Sequence, residues 1–228
     1  MADSIDINED FRIALVEHMP EVDQDGDSYI STKEAQSVTE IVLVNVGLSK
    51  VEGLKCFPNL ERLILTRNEL KNISIVGLPK LRDVYCLYNK LESITLDSLP
   101  ELIKLLLDDN NLCELRLDKV PTIEYLSCGY NKIKQLDITA LQNLARLGIV
   151  QNLIETMDIS QNQNLVTFQF QYNPMIEMDL SQNPNLVFDD RFSWGQNIKL
   201  IATDEQMKSI MENVKKESEY QDPPPADD

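Results

Sequence analysis

One spacing governs this sequence. Leu60, Leu81, Leu102, Ile123, Leu144, Leu165 and Leu186 stand 21 residues apart, and an earlier turn starts at Val38, 22 residues upstream. Counting from each of these, the fourth position reads Leu63, Val84, Leu105, Leu126, Leu147, Phe168, and the sixth reads Leu65, Cys86, Leu107, Cys128, Ile149, Phe170. The ninth is asparagine in six successive turns, from Asn68 to Asn173. The eleventh is again apolar, from Leu70 to Met175, as are the fourteenth and sixteenth, from Ile73 and Ile75 to Met178 and Leu180. A unit this short cannot bury its own apolar faces, so it is stable only when stacked on copies of itself.

The local physics follows from the period. Positions three to seven alternate, so they form a short strand with residues four and six pointing inward. Successive turns then stack their strands in parallel, ~4.8 Å apart. An asparagine at position nine, where the chain leaves the strand, can satisfy backbone groups of neighbouring turns that would otherwise be buried without partners. The asparagines are therefore read as scaffold, not as a site.

LERLILTRNEL, LIKLLLDDNNL and IEYLSCGYNKI, with VYCLYNKL and MDLSQNPNL, resemble leucine-rich repeats of the bacterial surface type, internalin-like or gut-commensal. The resemblance covers residues 38–190. It implies an α/β repeat solenoid of about eight turns, a right-handed superhelix with a parallel β-sheet on its concave face. Residues 1–37 would form a helical N-terminal cap, 191–217 a strand-and-helix C-terminal cap, and 218–228 a disordered acidic tail.

Net charge is −17, and it is uneven: residues 1–35 hold 10 acids and 2 bases, and residues 204–228 hold 8 acids and 3 bases. An acidic surface repels phosphate backbones, which makes nucleic acid and anionic membranes poor partners. No stretch reaches the ~18 apolar residues of a membrane-spanning helix, and the start, MADSIDINEDF, does not read as a secretory signal. The four cysteines are read as small buried apolar residues. Cys86 and Cys128 lie two turns apart, beyond disulfide reach.

The first acidic block carries its own motif. Residues 9–19 read as a short helix, with Phe11, Ala14, Leu15 and Met19 near one face, ended by Pro20. DQDGDSYISTKE, residues 23–34, resembles the calcium loop of EF-hands and dockerin-type hands. That resemblance implies a calcium ion held by the carboxylates of Asp23, Asp25 and Asp27, the carbonyl of Tyr29, Ser31, and a closing bidentate Glu34. Ser28 departs from the pattern, because it stands where a glycine usually makes the sharp turn. A left-handed backbone there costs a non-glycine residue about 1–2 kcal/mol. The hand is also single, so binding in the ~0.1–1 mM range and a structural role are expected.

Beyond Leu186 the repeat decays. Phe188, Phe192 and Trp194 are expected to cover the last turn, and residues 198–202 to form a closing strand. Thr203 with Gln206 makes a capping box that opens a helix to about Lys216, its apolar face being Met207, Ile210, Met211 and Val214.

No phosphate loop, nucleophile elbow or paired carboxylate wall is legible, and one histidine leaves little for acid–base chemistry, so the sequence predicts no enzyme. The outward strand positions are the candidate surface. Ile64, Tyr85 and Leu106 fall side by side, with Leu87 and Tyr125 nearby, which suggests a protein-binding patch. Tyr88, Tyr130 and Tyr172 recur at position eight of every second turn. They either pack across turns or form a binding row, and an aromatic row also suits a glycan. The resemblance implies a secreted or bacterial cell-surface protein that binds a protein partner on the concave face. A carbohydrate-binding module and a purely structural spacer are the alternatives.

Overall fold

The computed structural model of the protein describes residues 4–188 and 198–220. After helix α1 (Glu9–His18) and a short 3-10 turn comes α2 (Thr32–Ser37), followed by the strands β1 (Glu40–Val42), β2 (Arg62–Ile64), β3 (Asn72–Val76), β4 (Asp83–Tyr85), β5 (Ser93–Asp97) and β6 (Lys104–Leu106). The series continues with β7 (Tyr125–Ser127), β8 (Arg146–Gly148), β9 (Thr167–Gln169), β10 (Glu177–Asp179) and β11 (Lys199–Ile201), and α3 (Asp204–Tyr220) closes it.

The main sheet is parallel and seven-stranded, in the order β1-β2-β4-β6-β7-β8-β9. One strand comes from each turn, in register, so that Leu63, Val84, Leu105, Leu126, Leu147 and Phe168 are Cα partners along one row. About eight turns were expected. The ladder does reach an eighth, through the bond from the Val187 N–H to the Val166 carbonyl, but the strand positions that follow extend beyond the described residues. Two smaller parallel pairs, β3–β5 and β10–β11, form on the opposite side of the coil. Between them the fourteenth and sixteenth positions are still buried, as Leu115 and Leu117 or Leu136 and Ile138, but without strand pairing.

The core is one continuous apolar column running from Phe11 to Ile210. Position-four and position-six side chains are almost wholly shut off from solvent, including Leu105, Leu107, Leu126 and Cys128. Removing a buried leucine from such a column costs about 2–5 kcal/mol, because both its transfer energy and its packing are lost. Phe168 and Phe170 stack with ring centroids 4.7 Å apart, filling the last complete turns.

The asparagine column works as the spacing predicts. Asn110 Oδ1 accepts the Leu91 N–H at 2.9 Å, while its Nδ2 donates to the carbonyls of Cys86 at 2.9 Å and Leu107 at 3.0 Å. One amide thus ties its own turn to the previous one, and the pattern repeats at Asn89, Asn131 and Asn152. Asn68 adapts it to the longer first turn, accepting from Val46 and Leu48. Asn173, the last rung, is only partly buried.

Position eight, just before the asparagine, has a property that composition hides. Asn45, Arg67, Tyr88, Asp109, Tyr130, Gln151 and Tyr172 all have φ between 53° and 60°. Each of these seven turns therefore leaves its strand through a left-handed residue, and none of the seven is glycine.

The N-terminal cap docks as expected. Phe11, Ala14, Leu15 and Met19 are buried, and Phe11 meets Phe57 of the first turns edge-on at 6.2 Å. The segment before α1 crosses Gly53 closely, and a Cβ there would lie 2.3 Å from the Asp6 carbonyl oxygen. Gly53 also has φ +86°, so glycine is required twice over. At the other end, Thr203 and Gln206 form the expected capping box, with Ile210 buried. The helix runs to Tyr220, past the expected end near Lys216, whereas Met211 is half exposed instead of facing the core. Phe188 is buried, and Phe192, Trp194, the Val214 side chain and residues 221–228 lie outside the described ones.

The cysteines need one correction. Cys86 and Cys128 are buried as expected, but Cys56 is only partly buried and Cys113 is exposed. Position twelve of a turn already faces solvent, so Cys113 packs into nothing. All four are free thiols.

Candidate functional site

The acidic loop hangs between α1 and α2. Helix α1 delivers Arg12, whose guanidinium donates to the Ser28 carbonyl, is paired to Glu9 at 2.6 Å, and lies 5.0 Å from the Tyr29 ring centroid. Ser28 takes φ 68° and Gly26 φ 73°, so the sharp turn forms without glycine at position six. Asp23 makes that possible by accepting from the N–H groups of both Gly26 and Ser28 at 2.9 Å. Asp25 and Asp27 each cap the N–H two residues on.

These bonds converge the three carboxylates. One oxygen from each of Asp23, Asp25 and Asp27 lies within 4.8 Å of the others. Oxygens on opposite sides of a calcium ion, at ~2.3–2.6 Å each, are about 4.6–5.2 Å apart, so the trio fits that ion's first sphere. The donor set is hard oxygen throughout, as calcium requires.

Ser31 and Glu34 are placed differently. They form the capping box of α2: Glu34 Oε2 accepts from the Ser31 N–H at 2.8 Å and its hydroxyl at 2.7 Å, and Oε1 accepts from the Gln24 N–H at 2.7 Å. The Glu34 carboxylate is buried, is not among the three that converge, and already spans both ends of the loop. Bonds from Ser31, Gln24 and Asp25 hold its carboxyl below the usual carboxylate range, against the opposing effect of burial.

Ile30 is buried, and its carbonyl accepts the Ile5 N–H at 2.9 Å beside a Ser4–Ser31 antiparallel bridge. The acidic loop is thus paired with Ser4 and Ile5, a contact that no local sequence signal announced.

On the strand face, Ile64, Tyr85, Leu106 and Ser127 are successive Cα partners. The first three are half-buried, less exposed than a free patch would be, because neighbouring strands shade them. Leu87 continues this patch past the strand end, its carbonyl accepting from Arg67. Tyr125 pairs with Lys104 and Arg146 in the position-three row, and its ring centroid lies 5.7 Å from Lys104 Nζ and 5.9 Å from Arg146 Cζ. Lys104 Nζ also lies 5.8 Å from the Tyr85 centroid.

The face changes character further along the coil. Gly129 and Gly148 leave a recess, and Asp108 reaches across it to accept from the Ser127 hydroxyl at 2.6 Å and the Gly129 N–H at 2.9 Å. Burial pushes the Asp108 carboxyl above the ordinary range, against those two bonds, and burial also raises Asp109.

Tyr88, Tyr130 and Tyr172 are 49%, 47% and 76% exposed. Among the described residues no two of these rings stack on each other. Tyr88 instead sits 5.4 Å from the Arg67 guanidinium carbon.

A parallel sheet with one strand per 21-residue turn, an asparagine column beneath it and caps at both ends define a leucine-rich-repeat solenoid. No family model matches the sequence, and no curated protein does. Among solved structures, the fold is similar to the functional domain of InlJ from Listeria monocytogenes, described as including a cysteine ladder. Identity to it is 21% and the TM-score 0.62, over 92% of this chain and 51% of that one. The chain thus spans about half the length of that domain. It is also similar to internalin C2 of the same organism, at 20% identity and TM-score 0.58 over 86% of this chain and 98% of that one. A leucine-rich-repeat protein of Leptospira interrogans shares 18% identity at TM-score 0.58, covering 78% and 59%. Among the described residues no helix is long and apolar enough to cross a membrane.

Proposed function

We propose that this chain is a non-enzymatic protein-binding module, secreted or displayed at a bacterial cell surface, that engages its partner through the strand face. The observation that carries the reading is the registered row Ile64–Tyr85–Leu106, extended by Leu87 and Tyr125, on a sheet whose inward residues are already fully used by the core. Rigid stacked strands hold such a row in place beforehand, which lowers the conformational entropy lost on binding. The similarity to internalin structures supports a bacterial, extracellular setting. The test compares proteins retained by the wild type with those retained by Tyr85→Ala combined with Leu106→Asp. A partner lost by the double variant, with its melting curve unchanged, is the expected outcome. Equal capture by both would remove this face.

The acidic loop belongs to the same proposal as a structural calcium site. Asp23, Asp25 and Asp27 would hold the ion, with the Tyr29 carbonyl as a further ligand, while Ser31 and Glu34 anchor the loop's exit through their capping box. Three carboxylates drawn this close repel one another, and a divalent cation relieves that. Titration calorimetry with calcium should give heat for the wild type, with a Kd of ~0.1–1 mM, and none for Asp25→Ala. A wild type that releases no heat ends the claim.

The exposed tyrosines Tyr88, Tyr130 and Tyr172 keep a glycan as the second reading, since rings that do not stack on each other are free to stack on sugars. A glycan array without hits would remove it.

A further inference from the structure

The strand face is not electrically uniform, and its imbalance points to the partner's chemistry. At the strand starts, the acids are satisfied within the face. Arg62 pairs with Glu40 at 3.1 Å and with Asp83 at 3.3 Å. At the other end of the strands, roughly 13 Å away, Asp108 is held by Ser127 and Gly129. The cations of the next rungs are not matched in this way. Among the described residues neither Lys104 nor Arg146 has a carboxylate within ion-pair distance, and Arg82 beside them has none either. What Lys104 and Arg146 share is the Tyr125 ring, flanked by both at 5.7 and 5.9 Å. A ring orients two positive charges without neutralising them.

In a chain of net charge −17, a cation pair with no ion-pair partner among the described residues, held in place on the sheet that carries the apolar row, is a specific feature. Resting on the reading of the strand face as the binding surface, we infer that Lys104, Tyr125 and Arg146 form an anion-recognition site for an acidic segment of a protein partner. Lys104 and Arg146 are two rungs apart, so their backbones are separated by ~9–10 Å. In a polyproline-II-like chain residues i and i+3 share one side and lie about 9.3 Å apart. The segment that fits therefore carries Asp or Glu at i and i+3, one carboxylate for each cation. Apolar side chains flanking them would lie along Leu106, Tyr85 and Ile64. A peptide supplies both chemistries, whereas a sulfated polysaccharide supplies only the charge, which favours the peptide. Recognition of this kind gains on-rate and specificity from charge complementarity and weakens with salt.

The probe is a display library of random 12-residue peptides panned on the full chain, on Lys104→Ser/Arg146→Ser, and on Tyr85→Ala/Leu106→Asp, each first shown to keep the wild-type melting curve. The expected result is enrichment on the wild type of peptides with acids three residues apart next to apolar residues. Binding of the synthesised winners should fall at least about tenfold on Lys104→Ser/Arg146→Ser and in raised salt. Peptides lost on Tyr85→Ala/Leu106→Asp but indifferent to the cation variant, and without acidic preference, would overturn this inference and leave the binding face standing. Peptides indifferent to both variants would overturn both. Failure to enrich any peptide that depends on Lys104 and Arg146, or dependence on this pair shown only by heparin, also overturns it.

Discussion

The side-chain amide of Gln206 donates to the Asn183 carbonyl at 3.1 Å and to the Leu180 carbonyl at 2.9 Å. Asn183 does the same one turn earlier, to Asn162 at 3.0 Å and Ile159 at 2.9 Å, and Asn162 before it to Leu141 and Ile138. A second amide column thus appears only in the last turns, at a position that is Phe57, Leu78, Leu99, Val120 and Leu141 earlier in the coil. The C-terminal helix joins the solenoid by supplying its next rung. Gln206 is at once the capping-box residue of α3 and the rung, with its carbonyl oxygen accepting the Thr203 N–H.

Gln206→Ala removes the side-chain half of the capping box and both rung bonds together, leaving the Leu180 and Asn183 carbonyls with only their turn bonds from the Asn183 and Leu186 N–H groups. The expected cost is about 1–3 kcal/mol, the sum of half a capping box and two lost hydrogen bonds to carbonyls that keep one partner each. Urea unfolding measures it. Hydrogen exchange should show the loss concentrated in α3 and the β10–β11 pair, since a repeat stack loosens from its end. Uniform loss of protection would contradict the rung assignment.

Position eight of each turn is a second place where backbone conformation makes a prediction. Gln151 has φ 53°, and its side chain is exposed. Gln151→Gly relieves the left-handed strain but loosens the unfolded chain, leaving stability within about 1 kcal/mol of wild type. Gln151→Val adds a β-branched side chain in that region and should cost about 1–2 kcal/mol. Thermal melts of the two variants check the sign: a valine variant more stable than the glycine one would rule the strain out.

Much of this architecture was legible because it repeats. Leu63 to Phe168 and Asn68 to Asn152 announce their roles by recurring at one interval, and the structure puts them in one row and one column. The loop was legible in its three aspartates, whose alternation brings them together. The rest was carried by contacts that occur once. Glu34 reads as a ligand by its spacing, yet it also satisfies the capping box of the next helix, and that local bond set holds its carboxylate away from the trio. Arg12 reaching Ser28, Ile5 pairing with Ile30 and Gln206 entering a column meet partners between 16 and 26 residues away with no period to mark them. The left-handed position eight was hidden because tyrosine, arginine and glutamine there carry no glycine signal.

The thiols should separate cleanly by reactivity. Burial pushes the Cys86 thiol up to about 12, and burial, with the Asp108 charge, raises Cys128 further. Only a thiolate attacks alkylating reagents, so both should stay unmodified in the native protein at pH 8. Cys113, exposed, should react fastest, and Cys56, partly buried and bonded to the Asp6 carbonyl at 3.6 Å, more slowly. Mass spectrometry of the alkylated native chain should show Cys113 first, Cys56 next, and Cys86 and Cys128 only after denaturant. Fast labelling of Cys86 would mean that the column opens locally.

Acid should release the acidic loop's anchor before it unfolds the column. The Glu34 carboxyl is held below the usual range by the Ser31 N–H and hydroxyl and the Gln24 and Asp25 N–H groups. A carboxyl depressed in the folded state contributes stability that is fully present above its unfolded value, about 4.3, and is lost as pH falls through the lower folded one. The asparagine and leucine columns carry no such dependence. In calcium-free buffer, the wild type should therefore be more stable than Glu34→Gln at pH 7, and the gap should shrink steadily below pH ~4. Chemical denaturation at a series of pH values reads this gap directly. A difference that stayed constant down to pH 2 would show that Glu34 acts by shape alone and that its charge does not hold the loop.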